Sequence, residues 1–321
     1  MSKNREVQNI AIVGTGVIGA SWAAEFLAHG FDVVATDPAP NAEQNLRNYI
    51  DTAWPALTAK GLAKKASRER LTFSLDLKEA VSHADFVQEN GPERPEFKIK
   101  LFADIDAATP TDSIIASSSS GITMSVTQSQ CAHPERCVIG HPFNPPHMVP
   151  LVEVVGGTKT SPDAVRRAIQ FYAAIGKKPI HLHKEVVGHV ANRLQAAIYR
   201  EVVNLIHLGV VDVADADTAV SWGPGLRWGV MGPSMLFHLG GGEGGIQHFM
   251  DHLSGPVASW WKDLAGFAEW PEGSKTTIVE GVREAAGGRS IDELARLRDE
   301  VLLQLVQIRM KQAESVEAAA H

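Results

Sequence analysis

The 321-residue sequence has only two cysteines, Cys131 and Cys137, at neither metal-ligand nor C-x-x-C spacing. That offers no thiolate metal site and points to a reducing intracellular compartment. Positive charge is not in excess either. Lys and Arg number 30 against 37 Asp and Glu, and the formal net charge is −7. A general affinity for nucleic acid or anionic membrane is therefore not expected. No apolar run reaches the roughly 18 residues of a membrane span. The opening MSKNREVQNIAIVG lacks the apolar core and cleavage site of a secretory signal, so the cytoplasm is the expected location. Internal repeats and low-complexity tracts are missing too. What remains is an ordinary globular composition, 44% hydrophobic and 21% charged, long enough for one large domain or two ordinary ones.

The first half alternates short β-branched runs with helical patterns. The runs are 9–14, 32–36, 85–89, 113–117, 136–141 and 151–155, with a further short one at 178–184. Helix-like stretches at 18–29, 41–60, 95–107 and 162–175 lie between them. This alternation predicts an α/β fold with a parallel, doubly wound sheet. After Val187 the strand signals stop. Helical spacing predicts helices over 188–209, 212–222, 232–251, 275–286 and 290–314. The expected organisation is a dinucleotide-binding domain over 1–186 and an all-helical domain over 187–321. The second is stripe-patterned and looks unable to stand alone, which suggests that it packs against a second copy of itself.

Gly14-Thr-Gly16-Val17-Ile18-Gly19 follows an apolar strand and opens a helix, and Asp37 ends the next strand. Gly14 permits a tight turn, Gly16 lets a pyrophosphate approach the backbone, and Gly19 lets helix pack on strand. The helix N-terminus favours negative charge. An acid at Asp37 accepts ribose hydroxyls and repels a 2′-phosphate, so NAD is expected rather than NADP. The bland alternative is a structural glycine turn beside a surface aspartate.

The stretch GHPFNPPHMVPLVEVV (140–155) places His141 at a strand end and Glu153 inside an apolar run. Burying a carboxylate without a partner is costly. A neutral imidazole suits the base that takes an alcohol proton as hydride leaves, and a carboxylate can orient and stabilise the imidazolium. Alternatively, His141 is a capping or core histidine and Glu153 an edge-strand acid facing water.

Taken with Ser117-Ser-Ser-Ser120-Gly121 and Gly188-His-Val-Ala-Asn192-Arg193, these motifs make the whole chain resemble the 3-hydroxyacyl-CoA dehydrogenase family. The resemblance implies a Rossmann-type NAD domain, a helical C-terminal domain and a homodimer formed through those helices. It puts the base on His141, its carboxylate on Glu153, a substrate-binding serine on Ser120, and amides on Asn144 and Asn192. Asp37 becomes the ribose acid, and Glu93 and Lys98 a pair near the cofactor. As plain structure, Ser120 would be a helix N-cap and Asn192 a packed amide.

The SSSSG run and Pro-Phe after His141 depart from the acyl-CoA enzymes, and Gly225-Leu-Arg227-Trp with Met231-Gly-Pro resembles the branch acting on small free L-3-hydroxy acids, such as L-carnitine or L-gulonate. A free carboxylate needs a counter-charge, for which Arg227 is the candidate; a surface or interface salt bridge is the alternative. A quaternary ammonium would prefer aromatic faces, though the candidates Phe143, Trp222, Trp228, Phe237, Trp260 and Trp261 are expected mostly in the core. Two competing functions stay open. One is a 3-hydroxyacyl-CoA dehydrogenase whose Lys60, Lys64 and Lys65 meet CoA phosphates. The other is a non-catalytic, crystallin-like NAD-binding protein.

Overall fold

Eight short runs become the strands of one sheet: β1 (Asn9–Val13), β2 (Asp32–Thr36), β3 (Leu71–Phe73), β4 (Phe86–Glu89), β5 (Ile114–Ser117), β6 (Cys137–Pro142), β7 (Leu151–Gly156) and β8 (Lys178–His181). The computed structural model describes residues 7–319. Strand order is β3-β2-β1-β4-β5-β6-β7-β8. The first six lie parallel in the doubly wound, dinucleotide-binding order. The helices of this half are α1 (Val17–Ala28), α2 (Ala42–Lys60), α3 (Leu77–Val81), α4 (Pro95–Ala108), α5 (Met124–Thr127) and α6 (Pro162–Ala174).

The sheet departs from the expected all-parallel form at β7, which runs antiparallel to β6. The cause is chain length. Only residues 143–150 connect the two strands, whereas a parallel crossover needs about a dozen residues or more. β8 then pairs parallel with β7. Strand β3 was not expected; its three residues carry too little pattern, and pairing with β2 defines it.

Side chains alternate between the two faces of the sheet. Ile10, Ile12, Val138, Val152 and Val154 join Trp22, Phe26, Phe171 and Tyr172 in one core. Ala11, Val13, Cys137, Ile139 and Val155 join Phe102, Ile105 and Met124 in the other. The period of two therefore assigns His141 and Glu153 to the same face, that of α4 and α5.

A buried charge cluster braces the first core. Glu25 of α1 takes ion pairs from Lys60 and Lys177, each at 2.9 Å. Lys60 also donates to the His147 carbonyl, and Lys177 to that of Pro146. Lys177 lies over the Trp22 ring at 5.3 Å, and burial pushes its pKa down to about 8.

The chain parts into two compact units, the first ending at Arg193 and the second beginning at Leu194, so the division falls within the first turn of α7 (Ala191–His207). The second unit continues with α8 (Val213–Trp222), α9 (Pro224–Trp228), α10 (Pro233–Gly240), α11 (Gly245–Trp261), α12 (Ser274–Ala286) and α13 (Ile291–Ala319). The helix expected over 232–251 is split, because the glycine-rich stretch 240–245, interrupted by Glu243, adopts positive φ at Gly242 and Gly245. The tryptophans expected in the core are exposed: Trp222, Trp260 and Trp261 are 76%, 64% and 69% accessible.

Candidate active site

His141 and Glu153 are direct register partners across β6 and β7, a position that brings Cβ atoms to about 5 Å. His141 Nδ1 lies 2.8 Å from Glu153 Oε2. Glu153 is fully buried and His141 nearly so. A carboxylate only accepts, so Nδ1 carries the proton and Nε2 keeps its lone pair in the neutral ring. The other oxygen, Oε1, accepts from the amides of Val190 at 2.8 Å and Ala191 at 3.0 Å, at the start of α7. Burial alone would raise the Glu153 pKa. The His141 hydrogen bond and the Ala191 and Val190 amides outweigh it and hold the carboxyl below its usual value. Glu153 therefore does not face water as an edge-strand acid.

Ser120 Oγ sits 3.1 Å from His141 Nε2, and Ser120 itself is exposed. The basic nitrogen thus opens toward solvent through a hydroxyl. Ser120 is no helix cap; Thr123 precedes α5. The other serines of the run are spent on structure. Ser117 donates to Glu89 at 2.6 Å, Ser118 to Asn90 at 2.7 Å, and Ser119 to Glu93 at 2.6 Å.

Glu93 also accepts from the Gly121 and Ile122 amides, at 2.7 and 3.1 Å. Burial opposes its charge; Ser119, the Gly121 amide and nearby Lys98 prevail, and its pKa is lowered. Lys98 is 1% exposed and pairs chiefly with Glu89 at 2.8 Å, with Glu93 farther at 3.8 Å. Sequence reasoning missed Glu89. Its signal was close to the one that marked Glu153, a carboxylate within a strand of the buried sheet.

The glycine turn joins β1 to α1 beside β4, where the strand order reverses. Gly14 has φ +87°, and a Cβ there would meet the Asn90 carbonyl at 2.9 Å. A Cβ on Gly19 would fall 1.9 Å from the Gly14 oxygen, while Gly16 faces open space. No side chain caps α1, and Gly16 and Val17 are exposed, with Ile18 half-buried behind them. The first-turn amides are thus free for a phosphate. Asp37 accepts from the Thr15 amide at 2.7 Å, which holds the acid beside that turn. These residues fit a dinucleotide.

Asn144 is exposed on the loop after β6, three positions beyond His141. Asn192 is half-buried in the first turn of α7, next to Ala191. Arg227 is exposed on α9, and among the described residues it has no ion-pair partner. Lys60 is committed to Glu25 and the His147 carbonyl, which removes it as a contact for CoA phosphates. Lys64 and Lys65 are exposed.

The 3-hydroxyacyl-CoA dehydrogenase NAD binding domain matches residues 9–186, and the C-terminal domain of the same family matches 188–280. The chain belongs to the 3-hydroxyacyl-CoA dehydrogenase family. It is an NAD-dependent oxidoreductase. Members similar to it include the L-carnitine dehydrogenase of Streptomyces griseus, 48% identical over 98% of this chain and 94% of that one. That of Bacillus cereus is 46% identical over 96% and 94%. Among solved structures, 5-formyl-3-hydroxy-2-methylpyridine 4-carboxylic acid 5-dehydrogenase, an NAD+-dependent dismutase, is 33% identical over 95% of this chain and 98% of that one, with TM-score 0.81. The 3-hydroxybutyryl-CoA dehydrogenase of Escherichia coli is 28% identical over 73% of this chain and 50% of that one, with TM-score 0.63. No helix among the described residues is long and apolar enough to cross a membrane.

Proposed function

We propose that the protein oxidises the 3-hydroxyl of a small free L-3-hydroxy acid to the 3-oxo acid, and that L-carnitine is the substrate. The reaction rests on one observation: a buried imidazole held by a carboxylate at Nδ1, with Nε2 left facing an exposed serine hydroxyl. The substrate rests on likeness to L-carnitine dehydrogenases over nearly the full chain.

His141 Nε2 takes the hydroxyl proton as the carbinol carbon becomes a carbonyl. Glu153 keeps the ring oriented and stabilises the imidazolium that results. Ser120 hydrogen-bonds the substrate oxygen, and Asn144 and Asn192 hold substrate and imidazole in place. Bound NAD supplies the hydride acceptor. The Gly14–Gly19 turn with Val17 and Ile18 would hold its pyrophosphate and Asp37 its ribose; Glu93, backed by Lys98, shapes the wall nearby. Arg227, whose charge is uncommitted, is the proposed counter-ion for the free carboxylate.

Residues 1–186 serve as the NAD-binding domain and 187–321 as the substrate and dimerisation domain. A homodimer is supported by the apolar face of α13, where Leu297, Val301, Leu305 and Ile308 are exposed. The two unpaired thiols support a reducing compartment, the cytoplasm.

The test is NADH formation on L-carnitine, L-gulonate, 3-hydroxybutyrate and 3-hydroxybutyryl-CoA. The proposal requires L-carnitine to give the highest kcat/KM. Preference for the thioester would make this a CoA enzyme, and NAD binding without turnover on any of the four would favour a structural role.

A further inference from the structure

His189 lies outside every role assigned so far, yet its ring bonds the carbonyl next to Ser120 and packs on His141, and the two amides that follow it reach Glu153. Its backbone sits at φ +49°, left-handed and directly after Gly188 at φ +78°. A non-glycine residue there is strained, and such strain concentrates at functional sites. This reversal aims the next two amides, Val190 and Ala191, at Glu153 Oε1. The imidazole is 2% exposed. Its Nε2 lies 2.9 Å from the Ser119 carbonyl, and its ring packs 5.0 Å from that of His141 at 45°.

A carbonyl only accepts, so Nε2 carries the proton and Nδ1 is a bare lone pair in the neutral ring. That Nδ1 is buried and has no hydrogen-bond partner among the described residues. For a residue that merely fills space the arrangement is unfavourable, since an apolar ring would pack as well without leaving an acceptor unsatisfied. Burial and the neighbouring His141 keep the His189 pKa below the usual histidine value, against the Ser119 carbonyl and the Glu153 and Glu93 carboxylates. The ring thus remains uncharged beside a His141 that must become cationic.

We propose that His189 is a positioning residue, fixing Ser120 through the Ser119 carbonyl and Glu153 through the two amides that follow it, so that the Ser120–His141–Glu153 chain keeps its reactive geometry. This rests on the hydroxy-acid oxidation proposed above.

Two measurements on the full-length protein test it. In the first, His189→Phe keeps the ring and removes the donor, while His189→Gln restores a donor at the place of Nε2. Since small misplacements at a reacting centre cost up to about 100-fold, the Phe variant should lose roughly 10- to 100-fold in kcat with NAD affinity within about twofold. The Gln variant should recover most of the loss. A Phe variant at parental kcat, or equal losses in both, would overturn the proposal. The second needs no substrate. Histidine 15N NMR of the ligand-free protein should show His189 as a neutral Nε2–H tautomer, and His189→Phe should shift the His141 signals. A mobile, solvent-like His189, or an unmoved His141, would also overturn it. If the parent turns over none of the tested acids, the substrate reading fails while the NMR result still decides the role of His189.

Discussion

His141 and Glu153 face each other across an antiparallel strand pair, with Nδ1 and Oε2 2.8 Å apart. The reversal of β7 makes this possible. It sets the two residues in register on the face of the sheet that carries α4 and α5, where the Val190 and Ala191 amides at the start of α7 reach the second carboxylate oxygen. The carboxylate is paired on both oxygens, so its charge persists despite complete burial.

Glu153→Gln keeps the shape and removes the charge. By analogy with an Asp-to-Asn change in a serine-protease triad, worth about 10⁴-fold, kcat should fall by a factor of about 10² to 10⁴ while NADH binding is retained. Stopped-flow turnover with a fluorescence titration of NADH checks this. A loss of less than about tenfold would mean that the acid is structural.

Acid should destabilise the fold in a defined window. Glu25, Glu93 and Glu153 all hold pKa values below the usual 4.5. Burial opposes charge at each, and paired lysines or hydrogen bonds outweigh it. The unfolded chain takes up protons near 4.5, but the native state does not, so stability is full above that pH and is lost as pH falls below it. Urea midpoints measured across this range should fall less steeply for Glu153→Gln than for the parent. Parallel curves would contradict the assignment.

Glu25→Gln leaves Lys177 buried without its counter-ion and Lys60 without its partner. Breaking a buried ion pair costs about 3–5 kcal/mol, and denaturant unfolding should show a loss of that order. Adding Lys177→Met should recover part of it, because the uncompensated charge goes too. A double variant no more stable than the single one would count against the charge cluster.

Arg227→Met should raise KM for a free hydroxy acid. A charged hydrogen bond is worth about 1.5–3 kcal/mol, or roughly 10- to 100-fold. KM for NAD should stay as it is. An unchanged KM for the acid would remove Arg227 from the site.

Much of this was legible before the structure. The runs FVQE and IIAS are buried along their whole length, and the aromatic and β-branched pairs that lead them mark buried parallel strands. The glutamate in LVEVV announced a partner because a lone buried charge is too costly. Other features depend on contacts no local pattern carries. Leu71–Phe73 is a strand only through its pairing with β2. The antiparallel turn of β7 could have been read from the short connection 143–150. The pairing of Lys98 chiefly with Glu89, and less closely with Glu93, comes from Lys98 on α4 reaching the end of β4. His189 gave no signal, since its role lies in a backbone angle and a distant carbonyl.

The central claim is that the His141 imidazole removes the alcohol proton. His141→Gln should lower the single-turnover rate of NADH formation on L-carnitine by about 10² to 10⁴-fold, the usual worth of a general base, with NADH affinity within about twofold of the parent. Turnover retained near the parental rate would contradict it.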